Sequence, residues 1–271
     1  MRLIQNMTEP SIFAVLHRTQ RIWAIASVHG DVDRLNKLQA IIEKKFCPGD
    51  RLLYLGNILG RGDAVRATVD AMLAFRRVIL ARRNMFTHDV VMLRGAQEEM
   101  WQRLMQLQFA IDPVEVMDWM LEQGIGSTLE AYGSGREDAQ SAIRQGPMAI
   151  TRWTAKLRMA FQAAGHQEWL SSLKHAAYNH EATLLFVNRG VDPERPLDAQ
   201  GDEFWWGARA FDAIDTSYSG FDKVIRGFDP EAKGLVEKPF IISIDAGCGR
   251  GGALLAACID NDGSVLDIIE A

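Results

Sequence analysis

The chain is short of cysteine, with Cys47, Cys248 and Cys258 the only three in 271 residues. An odd count without CxxC spacing excludes a disulfide framework and offers no zinc pattern, so reduced thiols in a cytoplasmic protein are expected. Long apolar runs are also lacking. Ala253–Ile259 falls far below the roughly 20 residues that a membrane helix needs. The opening MRLIQNMTEP carries one early Arg and no sustained apolar core, which does not fit a secretory signal. Basic excess is missing as well: 30 Lys and Arg against 35 Asp and Glu leave a net charge of -5, against the basic face that nucleic-acid binding requires. Neither a membrane nor a nucleic acid is expected as partner. No internal repeat, low-complexity tract or linker divides the sequence, so one domain over 1–271 is expected.

What is present is an ordinary globular composition, 48% apolar and 24% charged, arranged as strands that end in polar turns. Residues 1–20 read as an arm in which Ser11–Leu16 can form a short strand. The β-branched run Ile22–Val28 predicts a buried strand ending at His29-Gly30-Asp31. A helix over Asp31–Lys45 follows, with Val32, Leu35, Leu38, Ile41 and Ile42 on one face. Arg51–Leu55 is a second strand, ending at Gly56-Asn57-Ile-Leu-Gly60-Arg61-Gly62 before a helix over about 64–77. Asp89–Leu93 is a third, ending at Arg94-Gly95-Ala96-Gln97-Glu98. Three strand–turn–helix units predict a parallel α/β arrangement with its turns gathered at the strands' carboxyl ends.

Residues 98–175 differ. Met-, Leu- and Trp-rich helical segments broken at Asp112-Pro113, Gly124–Gly126, Gly133–Gly135 and Gly146-Pro147 read as a helical insertion. Such helices are expected to be core, with a partner surface as the other reading. Strand character returns from Thr183. Leu184–Val187 leads to Asn188-Arg189-Gly190, Val224–Ile225 to Gly227-Phe228-Asp229-Pro230, and Phe240–Ile244 to Asp245-Ala-Gly-Cys-Gly-Arg-Gly-Gly252. Ala253–Ile259 and Val265–Ile269 around Asn261-Asp262-Gly263 predict a hairpin. No helix follows Gly249–Gly252, so a nucleotide loop is not expected there.

Taken in order, these turns resemble those of the calcineurin-like metallophosphoesterases, closest to bacterial phosphoprotein phosphatases and symmetrical diadenosine tetraphosphate hydrolases. The resembled consensus runs GDxHG, GDxxDRG, RGNHE, a His-Ala-Gly turn, GHTP and an Asp-x-Gly…Gly-Gly hairpin. The match spans roughly residues 21–269 outside the insertion. It implies an α/β fold: a metallophosphoesterase-like β-sandwich of mixed sheets flanked by helices.

The resemblance also implies where a two-metal site would lie, and there the residues depart from it. Of the six ligand positions, the first Asp is Ser27 and its partner survives as His29. The bridging Asp is Asn57, the Asn is Ala96, and the two late His are Asn188 and Phe228. The leaving-group acid is Gln97, and the Asp that would orient it is Gly60. Two divalent metals need anionic oxygen ligands, and without them no hydroxide nucleophile forms near neutral pH. Gln97 cannot donate a proton as a general acid. The expectation is therefore a non-catalytic protein with no metal cofactor, binding a phosphorylated ligand or a partner protein. The alternative is an active phosphatase or dinucleoside polyphosphate hydrolase using Mn, Fe or Zn on substituted ligands.

A remaining anion pocket is expected from Arg61, at the position of the resembled family's phosphate-clamping Arg, with Arg94, Arg209, His29, Asn57 and free backbone N–H groups. Arg209 stands one residue beyond the expected place, which Ala208 takes. Arg61 has a second reading as a structural salt bridge. His29 is expected to pack at a strand end. His88, His166, His175 and His180 fit no ligand pattern and are expected at the surface, while Glu98 and Asp245 are expected to hold structure.

Overall fold

The β-branched and aromatic residues before each polar turn form short buried strands, as their composition dictates. The computed structural model describes residues 12–271, with the backbone alone at Ala208 and Arg209. Strand β1 is Phe13–Leu16 and β2 is Arg21–Ile25; Ser11, expected to begin β1, lies outside the described residues. Helix α1, Val32–Lys45, is capped by the Asp31 carboxylate, which accepts from Arg34 N. Then come β3 (Arg51–Tyr54), α2 (Val65–Leu80) and β4 (Val90–Met92). Six helices separate β4 from the next strand: α3 (Ala96–Leu104), α4 (Pro113–Glu122), α5 (Gly126–Ala131), α6 (Arg136–Arg144), α7 (Pro147–Ala163) and α8 (Gln167–Ser172). The remainder is β5 (Ala176–Asn179), β6 (Leu184–Val187), α9 (Glu203–Trp206), α10 (Ala208–Asp212), β7 (Lys223–Arg226), β8 (Gly234–Glu237), β9 (Ile241–Asp245), β10 (Leu255–Asp260) and β11 (Val265–Glu270).

The strands make two mixed sheets, a six-stranded one ordered β1-β5-β6-β7-β9-β8 and a five-stranded one ordered β11-β10-β2-β3-β4. β2, β3 and β4 run parallel, and β10 and β11 form the antiparallel hairpin. One apolar cluster joins Trp23, Leu53, Ile225 and Ile242 with Leu35, Met72 and the helices between β4 and β5. A second packs Leu185, Val187 and Val224 against Phe204, Trp205 and Phe211. Each fully buried Leu, Ile or Phe contributes about 1.5–3 kcal/mol relative to exposure.

Three expectations need correcting. The first strand does not run to Val28: it ends at Ile25, and although Ala26 N still donates to Leu255 O of β10, the next amides leave the sheet, Ser27 N for Gly227 O and Val28 N for Asn57 O. That departure aims residues 27–29 at the seam between the sheets. β5 and β8 were not expected, since strand character was read only from Thr183 and not over 234–237. His166 is buried rather than superficial. Its Nε2 meets Asp70 Oδ1 at 3.0 Å and its Nδ1 meets the Tyr132 hydroxyl at 2.6 Å, a carboxylate–imidazole–phenol chain tying α2 to the inserted helices.

Candidate functional site

The loops after β2, β3, β6 and β7 interlock where the two sheets meet, and Asn57 is their hub. Its backbone is left-handed (φ 53°). Its Oδ1 accepts from Gln97 N at 3.0 Å, which fixes the amide orientation and turns Nδ2 towards Ser27 Oγ (3.1 Å) and Asn188 Oδ1 (3.4 Å). Asn188 Nδ2 in turn donates to Leu55 O at 2.6 Å. Ser27, Asn57 and Asn188 are all buried. A carboxylate at position 57 could not donate to either oxygen, so the asparagine is what closes this network without a cation. The structure therefore brings three of the six expected positions, Ser27, Asn57 and Asn188, together as a buried neutral cluster.

Glu98 supports the loop from below. Its buried carboxylate accepts from the backbone N–H groups of Asn57 (2.9 Å), Ile58 (2.8 Å), Leu59 (3.0 Å) and Gly95 (2.8 Å). Burial pushes its pKa up, and the backbone N–H groups of Leu59, Gly95 and Asn57 oppose the shift. Left-handed backbone at His29 (φ 53°) and Arg61 (φ 58°) adds to that at Asn57, a concentration of strain typical of functional loops.

His29 is buried, and neither ring nitrogen has a well-formed hydrogen bond. Burial, then the charges of Arg61 and Arg250, push its pKa down to about 3, against a weak backbone contact at Leu59. Phe228 meets the imidazole edge-on at 5.7 Å between centroids. Its ring also lies under two guanidinium groups, Arg189 at 5.3 Å and Arg250 at 4.7 Å. At Gly60, where the resembled family has Asp, a Cβ would collide with the Gln97 side chain. Gln97 fills that space and donates from Nε2 to Gln123 O at 2.8 Å. The two departures from the consensus, at 60 and 97, are thus sterically coupled.

These residues do not fit a two-metal centre. Ser27, Asn57 and Asn188 offer neutral oxygens already used within the protein, Ala96 and Phe228 offer none, and His29 is one isolated imidazole. Among the described residues no group of three His, Cys, Asp or Glu side chains is placed to hold a metal ion.

Positive charge rims the seam instead. Arg61 has no carboxylate partner among the described residues, and its Nε is buried without a hydrogen bond. Burial and then Arg250 lower its pKa. Arg189 is in the same condition, with burial, Arg226 and Arg250 lowering its pKa against Asp229. Arg250 is anchored through Nη2 to Asp245 Oδ2 (2.5 Å) and Asp229 O (2.7 Å), yet its Nε is unpartnered. Beneath them Arg226 is buried on Asp229 at 2.9 Å and over the Phe211 ring at 4.3 Å.

Of the expected anion pocket, Arg61 stands at this rim, while His29 and Asn57 are sealed below it. Arg94 is engaged with Glu99 at 3.2 Å beside Trp205, and the side chain of Arg209 lies outside the described residues. Arg189 and Arg250 were not among the expected residues. Their signal was an Arg at the Ala of the resembled His-Ala-Gly turn and another set between Gly249 and Gly251.

The architecture is the metallophosphoesterase fold that the resemblance implied. A candidate diadenosine tetraphosphatase of solved structure is similar at 17% identity and a TM-score of 0.55, over 96% of this chain and 97% of that one. A serine/threonine phosphatase from Saccharomyces cerevisiae with similarity to human PP5 is similar at 16% and 0.52, over 96% and 83%. A cold-active protein-tyrosine phosphatase of a psychrophilic Shewanella is similar at 14% and 0.51, again over 96% and 83%. At these identities the likeness is one of fold. No protein-family profile and no curated protein matches the chain. Among the described residues, no helix is long and apolar enough to cross a membrane.

Proposed function

We propose that the chain is a catalytically inert protein on a phosphatase fold that works by binding a phosphate-bearing ligand, offered by a small molecule or a partner protein. The observation that carries this reading is the hub at Asn57, whose amide satisfies Ser27 and Asn188 as a donor where a metal-bridging carboxylate would accept only. Hydrolysis by the metal-dependent route needs a metal-activated water and a general acid. Gln97 supplies an amide already bonded to Gln123 O, and among the described residues no group of three His, Cys, Asp or Glu side chains is placed to recruit the metals. The unpaired guanidinium groups of Arg61 and Arg189 support anion binding, because charge-assisted and bidentate contacts to phosphate are the strong ones.

Turnover of p-nitrophenyl phosphate and of diadenosine tetraphosphate, with Mn2+ added, tests the reading. No rate above the uncatalysed background is expected. Metal-stimulated hydrolysis that disappears in His29→Ala or Asn57→Ala would overturn it and restore the enzyme alternative.

A further inference from the structure

β1 and β4 are edge strands, the first of the six-stranded sheet and the second of the five-stranded one. The backbone at 174–175 ties the two edges together: Lys174 N donates to Met92 O at 3.0 Å, and His175 N to Ile12 O at 2.8 Å. Both strands and Lys174 line a cleft of about 540 Å³. It shares no residue with the loops that meet at Asn57.

The lining divides by chemistry. Phe13, Val15, Val90 and Met92 supply apolar surface. Arg76 and Lys174 bring two full positive charges, with His17 and His88 alongside. Arg76 has no ion-pair partner among the described residues. The His17 ring meets His88 edge-on at 6.2 Å between centroids and lies 5.0 Å from His180. No Asp or Glu lines the cleft. Asp89, next to His88, is buried and taken up by Arg51 at 2.9 Å, with His88 Nε2 at 3.5 Å. Burial, then His180, His88, Arg18 and Arg51, lower the pKa of His17. This end of the cleft is crowded with cationic groups and short of negative charge.

Clefts of about 300–1,000 Å³, largely apolar with a few polar groups, are those that hold small molecules. Here the two halves of the lining select together. A hydrated polyanion gains nothing from the apolar surface, and a neutral hydrocarbon gains nothing from Arg76 and Lys174. An added β-strand would find short templates, four residues in β1 and three in β4.

We propose that this cleft binds a small amphipathic carboxylate, its charged group at Arg76 and Lys174 and its apolar body between β1 and β4. The site is separate from the seam, so its occupancy is independent of whether the seam binds phosphate or turns it over.

Isothermal titration calorimetry of the full chain with sodium decanoate, below its micellar range, tests this. Decanoate is expected to bind at about one equivalent, and at least about tenfold tighter than decanol, which lacks the charge, or acetate, which lacks the body. Arg76→Gln should weaken it by about tenfold, and Thr87→Glu, which sets a carboxylate at an exposed position in the lining, by at least as much. Thr87→Gln should bind like the parent, which separates charge from shape. Circular dichroism confirms that the variants fold. Apolar chains also adsorb to exposed side chains, so Phe109→Ser/Ile111→Ser, outside the cleft, serves as the control and should leave binding unchanged. The site is overturned if decanol binds as tightly as decanoate, if Arg76→Gln and Thr87→Glu bind like the parent, or if the control pair abolishes binding. It is also overturned if a neutral valine-rich peptide binds tighter than decanoate, which would assign the cleft to strand pairing, or if Thr87→Glu instead abolishes self-association, which would seat a second copy there.

Discussion

Replacing Glu98 with alanine is expected to lower the free energy of unfolding by about 4 kcal/mol. Four backbone N–H groups, those of Asn57, Ile58, Leu59 and Gly95, end on this one carboxylate, which is fully buried. A buried donor left without an acceptor costs about 1–3 kcal/mol. Water entering the vacated space recovers part of the sum, and release of a desolvated carboxylate offsets more. Glu98→Gln should fall between, because its Oε1 still accepts while its Nε2 faces donors. Urea unfolding of the three proteins measures this. A loss below about 1 kcal/mol for Glu98→Ala would mean that the loop carrying Asn57 does not hang on this residue.

Stability should also fall as the medium is acidified, through His29. Its folded pKa is pushed down to about 3 by burial and by the nearby Arg61 and Arg250 charges, whereas an unfolded histidine titrates near 6.5. Above that value both states hold the ring neutral and the contribution is constant. Between about 6.5 and 3 the unfolded chain takes up a proton that the folded chain refuses, so stability is lost as pH falls through this window. By about pH 4.5 the loss from this one group is about 2–3 kcal/mol. Other groups titrate over the same range, so the readout is a difference. His29→Asn keeps a residue type that tolerates left-handed backbone and removes the ring. Urea midpoints at pH 7 and 4.5 should move less in His29→Asn than in the parent. Equal shifts would show that the imidazole is protonated in the folded state and that the seam is open to water.

How much of this was legible in the sequence divides along local and non-local lines. Apolar runs ending in Gly-rich polar turns exposed β2, β3, β6 and β7 and the order of the loops around Asn57, because strand and turn preferences are written in neighbouring residues. β5, Ala176-Ala-Tyr-Asn179, has no such pattern; it is a strand because β1 and β6 pair with it on either side. β8 is an edge strand that opens on a glycine and is held by β9 alone. His166 is buried only because Tyr132 and Asp70 arrive from elsewhere in the chain.

The site shows the same division. Each departure from the resembled consensus could be read one residue at a time, including Phe228 in place of an imidazole. That Gln97 occupies the volume above Gly60, and that Arg189 and Arg250 converge on the Phe228 ring from separate loops, depends on three-dimensional packing. Arg94 illustrates the converse: retained in sequence, it is engaged by Glu99 in the fold.

Metal retention tests the central claim most directly. The chain is loaded with Mn2+, Fe2+ or Zn2+, dialysed without chelator, and its metal content measured beside Asn57→Ala. A neutral hub with no carboxylate is expected to keep well below about one equivalent of any of the three, equally in both proteins. Close to two equivalents in the parent, lost in Asn57→Ala, would contradict it and show that amide, hydroxyl and a single imidazole suffice to build a metal centre at the seam.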